Sequence, residues 1–160
     1  MGLLERVDYR RAETSEDKDA IYRLRYQAYL NEGAIEPNPN ERYLDKYDET
    51  PNCWIFGVYV DDELASSLRL HIASREHPEM PAMGVFSDLL TPALAAGKTI
   101  IDPTRFVADK ALSRRFPELS YVTTRLGWLA CEYFHTHLVL ATVRGEHQAF
   151  YRRVFGHRVI

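Results

Sequence analysis

Asp102 and Arg105 stand three residues apart within Thr99-Ile-Ile-Asp-Pro-Thr-Arg-Phe-Val-Ala108, an otherwise apolar, strand-like run. Ionised side chains rarely enter a core unless they are paired, so this run marks a place where the fold needs charge. A carboxylate here can accept a proton, and a guanidinium beside it would keep that carboxylate ionised and oriented. Residues three apart on a regular strand face opposite sides of the sheet. Serving one site therefore requires a bulge, and Pro103, which donates no ladder hydrogen bond, predicts one there. The plainer reading of the same residues is a buried ion pair that anchors a neighbouring loop.

Six more charged residues join these two as candidates. Asp45 and Asp48 lie in a long acidic loop, residues 33–52, of a length that is uncommon inside a compact domain. They are placed to bind a substrate ammonium or to pair with Arg25 and Arg69, against the alternative of a solvated acidic loop. Arg25 and Arg69 read as tethers that close the loop, although either could grip a substrate carboxylate with both prongs of its fork. Arg114 and Arg115 precede Pro117 and the helix expected to begin there, a position that suits phosphate groups and is equally consistent with a solvated surface. The histidines form no convincing ligand set, so no metal is expected. Cys131 lies among Leu129, Ala130 and Phe134, where a buried and inert thiol is the ordinary outcome.

The elements that must position these residues follow from pattern. Residues 6–13 alternate as a first strand, and Thr14 or Ser15 caps a helix that runs through Asn31 and stops at Gly33. Ile21, Leu24 and Ala28 are spaced for its core face, with Arg25 on the border. Residues 53–60 and 64–72 are strands joined by Asp61-Asp-Glu63, and residues 73–98 read as irregular with one helical turn near 86–90. The run 99–108 is the next strand, followed by a helix over 118–135, a strand over 137–143 and a helix over 146–155. Gly156-His-Arg-Val-Ile160 would begin a last strand, and stopping inside it leaves an open edge, so the reading takes this strand as truncated. The order describes a single mixed α/β domain with helices packed on one twisted sheet.

Composition narrows the classes. The 160 residues are 46% apolar, enough for one domain with a sizeable core. There is no bilayer-length apolar run, no secretory leader and no disulfide framework, which together read as cytoplasmic, without membrane insertion. Residues 1–97 carry 10 Lys and Arg against 18 Asp and Glu, a net of −8, whereas residues 98–160 carry 10 against 5, a net of +5. The basic C-terminal part suggests an anionic partner such as a phosphate-bearing cofactor or an acidic protein. Its basic residues form no run, and nucleic acid is not expected.

The element order, with Ala149-Phe-Tyr-Arg-Arg-Val-Phe-Gly156 near the end, resembles the GNAT acyltransferase superfamily. Within it the polar residues resemble the acyl-homoserine-lactone (autoinducer) synthases and the related N-acyl amino acid synthases. The matching positions are Arg25 with Tyr29, Asp45-Lys-Tyr-Asp48, Arg69 within Ser67-Leu-Arg-Leu70, and Asp102-Pro-Thr-Arg105-Phe106. Asp102 stands where autoinducer synthases usually carry Glu. Their tryptophan between the helix Arg and the loop acids is missing here, that window holding Tyr29, Tyr43 and Tyr47. Residues 107–117 also lack the glycines of the pyrophosphate loop found in coenzyme-A-using GNAT enzymes.

The resemblance implies a GNAT fold and transfer of a fatty acyl group from a thioester to an amine. The donor would be the acyl-phosphopantetheine of an acyl carrier protein, or acyl-CoA, with no tightly bound cofactor. The acceptor would be an amino acid or other small amine; quorum-sensing autoinducer synthesis from S-adenosylmethionine is the alternative. A non-catalytic acyl-carrier or ligand-binding module on the same fold is a third reading. In the leading one Asp102 takes the amine proton, directly or through water, assisted by Arg105, Asp45 and Asp48. A bulged strand would also offer a backbone N–H to the thioester oxygen. Arg25, Tyr29, Arg69 and Phe106 would contact substrate, while Arg114 and Arg115 would meet phosphopantetheine or the carrier. Val85, Phe86, Leu89, Leu90, Trp128 and Phe134 could line an acyl tunnel, or be plain core.

Overall fold

The computed structural model describes residues 2–159. Its strands form one sheet in chain order: β1 (Val7–Arg11), β2 (Cys53–Val60), β3 (Glu63–Ala73), β4 (Ile100–Ala108) and β5 (Leu138–Val139). The first three pairings are antiparallel and β4–β5 is parallel. Helices α1 (Ser15–Asn31) and α2 (Met83–Ala95) cover one face, and α4 (Leu119–Phe134) covers the other; α3 (Lys110–Arg115) and α5 (Gln148–Phe155) are shorter. This is the mixed, helix-flanked sheet of the GNAT fold that the element order implies.

Local chemistry explains the well-read elements. Thr14 accepts a hydrogen bond from the Asp17 amide while Asp17 reaches back to the Thr14 amide, a reciprocal cap that starts α1. Gly33, with φ +66°, turns the chain out of that helix. Asp61 and Asp62 both take positive φ, the two-residue primed turn that matches the twist of a hairpin.

Alternation then sorts the side chains. Val58, Val60, Leu68, Leu70 and Ile101 pack against Leu119, Val122 and Leu126 of α4. The opposite face carries Arg69, His71 and Ala73 on β3 with Ile100, Asp102 and Thr104 on β4, in the registered pairs Arg69–Thr104, His71–Asp102 and Ala73–Ile100. One face is therefore mainly apolar, with the buried Ser66–Thr123 hydroxyl pair its polar exception, and the other is polar along its middle.

Four expectations change. The segment read as irregular forms α2, because Leu90 and Leu94 bury against Ala73, Met80 and Ile100, and that packing outweighs Gly84 and Pro92. The strand expected over 137–143 pairs only at Leu138 and Val139. No strand follows Gly156 among the described residues. The buried stripe of α1 is Ile21, Tyr22, Arg25 and Tyr26, so the helix is rotated from the expected face and Arg25 lies inside the stripe.

Candidate active site

The parting of β4 and β5 makes the site. The His137 and Leu140 amides donate to the Thr99 and Ile101 carbonyls at 2.9 Å, and beyond Ile101 the two strands separate. A cleft of about 1170 Å³ opens there, between Pro103–Lys110 on one side and Val139–Arg144 on the other. It reaches α1 at Leu24, Ala28 and Tyr29 and α4 at Gly127, Trp128 and Cys131, helices that lie on opposite faces of the sheet. The cleft thus crosses the sheet at the point where its hydrogen bonding stops.

Pro103 does not carry the bulge. The Ile101 carbonyl faces β5, so by alternation the nitrogen of Pro103 also points to that side, and the register with β3 continues through Leu70–Pro103. The bulge comes two residues later. Arg105 and Phe106 together stand opposite the single Leu68, since Thr104 pairs with Arg69 and Val107 with Ser67. Arg105 takes φ +55°, a left-handed conformation that non-glycine residues adopt at a cost of roughly 1–2 kcal/mol. This kink brings the Arg105 side chain to the Asp102 face of the sheet.

Arg105 reaches Asp45, and no hydrogen bond or ion pair joins it to Asp102. Its Nε donates to Asp45 Oδ2 at 3.1 Å, and Arg69 Nη1 donates to Asp45 Oδ1 at 2.7 Å. Arg69 Nη1 also lies 3.0 Å from Asp48 Oδ1, and the same oxygen accepts from Arg25 Nη1 at 2.8 Å. The result is a continuous chain of alternating charge: Arg25, Asp48, Arg69, Asp45, Arg105. Its inner members are closed to solvent, with Arg25 and Asp48 side chains 0% exposed and Arg69 1%. The expected pairing of the loop acids with Arg25 and Arg69 is present. Neither Arg25 nor Arg69 lines the cleft.

The acids of this face differ in electrostatic state. Partial burial works against ionisation of Asp45, but hydrogen bonds from Arg69 and Arg105 outweigh it and hold the carboxyl well below the usual carboxylate range. Asp102 has no such partner. Burial pushes it up to about 6, only partly offset by the Ala82 N–H that donates to its Oδ2 at 2.9 Å. His71, opposite it on β3, is pushed down to about 4 by burial, with the charge of Arg69 adding to the effect. His71 Nε2 donates to the Tyr47 carbonyl at 3.0 Å, which makes Nδ1 a bare acceptor. Asp102 is fully buried and does not line the cleft, although its neighbours Pro103 and Thr104 do.

The remaining candidates divide. Tyr29, Phe106 and Arg114 line the cleft. Arg115 does not: its guanidinium stacks 5.1 Å from the Phe116 ring, and both arginines sit in the last turn of α3 rather than at the start of α4. Of the residues considered for an acyl tunnel, Trp128 lines the cleft. Phe134 packs on Trp54, Leu90 is core, and Val85 and Leu89 are exposed elsewhere. No group of three or more His, Cys, Asp or Glu among the described residues is arranged to hold a metal.

Several contributors escaped the sequence reading. Tyr43 places its ring 4.8 Å from the Arg105 guanidinium, and Thr104 accepts from Arg69 Nε at 3.0 Å. Asp109 Oδ1 accepts from the Ala111 and Leu112 amides at 2.9 Å each, closing the start of α3 on itself. Thr104 and His71 lie two residues beyond Asp102 and Arg69, so strand alternation was a signal available for both. Tyr43 entered only as one of three tyrosines in the window of the missing tryptophan, and the capping position of Asp109 was the signal for it.

A sheet split between its fourth and fifth strands, with a cleft running through the split, is the GNAT fold. The family model described as N-acyl amino acid synthase FeeM matches residues 20–160, and the chain belongs to that family. Among solved structures it is similar to FeeM, an N-acyl amino acid synthase from uncultured soil microbes. The two are 20% identical with a TM-score of 0.67, over 91% of this chain and 76% of that one. It is similar also to glucosamine-6-phosphate N-acetyltransferase from Arabidopsis thaliana, 14% identical with a TM-score of 0.60, over 96% and 94% of the two chains. A third is a predicted acetyltransferase with acetyl-CoA from Clostridium acetobutylicum, 14% identical with a TM-score of 0.59, over 96% and 91%. No curated protein matches the chain. None of its helices is long and apolar enough to cross a membrane, among the described residues.

Proposed function

We propose that this acyltransferase moves a fatty acyl group from the phosphopantetheine thioester of an acyl carrier protein to the amine of an amino acid. The observation that carries the reading is the cleft through the sheet, whose opposite ends admit a donor beside α3 and α4 and an acceptor beside α1. Between them the β4 edge past Ile101 has lost its strand partner, so its backbone groups are available to a thioester carbonyl. The amine nitrogen bonds to the thioester carbon and the carbon–sulfur bond breaks. The thiolate leaves without an acyl-enzyme intermediate, since a thiol of pKa about 8.5 is a good leaving group.

The amine must first lose a proton. Asp102 is the acceptor in this reading, and because it is buried and does not line the cleft it acts through water rather than by touching the amine. The charged chain from Arg25 to Arg105 holds the loop against the sheet and sets the shape of the acceptor end.

A carrier-borne donor is favoured over free CoA by the start of α3. The first amides of that helix would receive a pyrophosphate, but they already bond the Asp109 carboxylate. Lys110 and Arg114, which line the same end of the cleft, supply positive charge for a single phosphate or for the acidic face of a carrier.

The test is to incubate the purified enzyme with palmitoyl carrier protein or palmitoyl-CoA, a mixture of amino acids and S-adenosylmethionine, and to identify the products by mass spectrometry. N-acyl amino acid formed faster from the carrier protein is the expected result. Acyl-homoserine lactone as product, or a preference for CoA, overturns the corresponding part.

A further inference from the structure

The alternating chain of charges ends unevenly. Arg25, Arg69 and Arg105 share the two ion-paired carboxylates Asp45 and Asp48, and the buried Asp102 carboxyl lies in the field of Arg69 without bonding to it. The inner members are sealed, so any added anion must come to the end that meets the cleft. Arg105 is that end: it lines the cleft, and its side chain is 26% exposed.

The guanidinium is held in a fixed orientation. Its Nε and Nη2 both go to the one oxygen Asp45 Oδ2, and the Tyr29 hydroxyl is a further neighbour. The rings of Tyr43 and Tyr29 lie 4.8 and 5.8 Å from the guanidinium carbon and restrict its orientation. The left-handed backbone at Arg105 aims the side chain from the β4 edge itself, at the place where β4 has no strand partner. The other cations of the cleft, Lys110, Arg114 and Arg144, lie on α3 and on the segment after β5 rather than at the bulge.

We propose that Arg105 holds the carboxylate of the acceptor and thereby selects an α-amino acid over a simple amine. This assignment rests on the reading of the chain as an amino-acid N-acyltransferase. In an α-amino acid a single carbon separates carboxylate and amine. A carboxylate gripped at Arg105 therefore keeps the amine beside the same stretch of β4 that faces the thioester. A side-chain amine, several bonds further away, is carried past that edge. Arg105 is then a specificity-determining residue, not the partner of the base.

The experiment compares kcat/KM for a panel of amino acids, their carboxamides and their decarboxylated amines, with the wild type and with Arg105→Gln, Arg105→Lys and Arg105→Gly. The wild type is expected to prefer the free acids. Arg105→Gln should lose about 10- to 100-fold on the acids, the worth of a charge-assisted contact, beyond whatever smaller loss it shows on the carboxylate-free amines from the broken Asp45 bond. Arg105→Lys should fall between. Arg105→Gly tolerates the positive φ, and added guanidinium should restore its rate on the acids alone. As a measurement independent of variant folding, an N-acetylated amino acid should inhibit the wild type more strongly than its methyl ester. Equal losses on acids and amines, or equal inhibition by acid and ester, overturn the assignment. A wild type that acylates amines as readily as acids overturns it alone; one that acylates neither overturns the acyl-transfer reading with it.

Discussion

Arg25 and Asp48 meet at 2.8 Å with neither side chain exposed, joining α1 to the loop before β2 across a gap of 23 residues in sequence. Asp48 also receives Arg69, so one carboxylate holds two guanidiniums against the sheet. Removing it leaves both charges short of a partner in a buried site. Asp48→Ala should therefore destabilise the protein by about 3–5 kcal/mol, read as a shift in the denaturant midpoint at unchanged slope. A loss within experimental error would mean that water replaces the carboxylate at no cost.

Acid should act first through Asp45. Its folded-state pKa is depressed by Arg69 and Arg105, so its contribution to stability is present above the unfolded value of about 4 and disappears as pH falls towards the folded one. Stability measured from pH 5 downwards should fall less steeply in Asp45→Asn than in the wild type. Parallel curves would deny the pairing any thermodynamic weight.

Asp102 and His71 should oppose one another between about pH 4 and 6. Asp102, raised to about 6, binds a proton more readily folded than unfolded, so its contribution falls as pH rises through that window. His71, lowered to about 4, does the reverse: the unfolded chain takes the proton first, and stability rises with pH. The groups facing the pair are Arg69, Asp45 and Asp48, together with the Tyr47 carbonyl and the Ala82 amide. Asp102→Asn should leave a stability curve that climbs with pH, and His71→Gln one that declines. Thermal melts across this range distinguish the two slopes, and flat curves for both variants would refute the assigned states.

Gly127 lines the cleft from the middle of α4, where a Cβ would stand 3.8 Å from Pro103 Cγ, an ordinary contact. Glycine within a helix costs about 1 kcal/mol relative to alanine. Gly127→Ala should accordingly raise the melting temperature while narrowing the cleft between α4 and β4. Transfer of long acyl chains should suffer more than transfer of short ones, measured as relative kcat/KM across a chain-length series. An unchanged chain-length profile would place the acyl group elsewhere.

Arg114 and Arg115, adjacent in sequence, should separate in kinetics. Arg114→Glu should raise KM for the carrier protein and reduce its salt dependence with little change in kcat, because the side chain lies at the cleft. Arg115→Glu, which loses a stack on Phe116, should act on stability instead. Equal effects on KM would remove the distinction drawn from their placement.

Much of this was legible in one dimension because its causes are local. The Thr14–Asp17 cap, the Asp61-Asp62 turn and strand alternation depend on residues within a few positions of one another, and the elements they define appear where expected. The identities of the charged residues were legible too, since an Asp and an Arg inside an apolar strand demand an explanation. Which charge meets which was not. Arg105 lies three residues from Asp102 but pairs with Asp45, 60 residues away, because the bulge falls after Thr104 rather than at Pro103. That position is settled by the register with β3 and by which edge of β4 lacks a partner, and neither is a property of the strand alone. In the same way α2 exists because a cluster elsewhere buries Leu90 and Leu94, and Asp102 is buried against the start of that helix, where the Ala82 amide donates to it. Short-range sterics and hydrogen bonds made the elements readable; long-range packing and charge pairing chose the site.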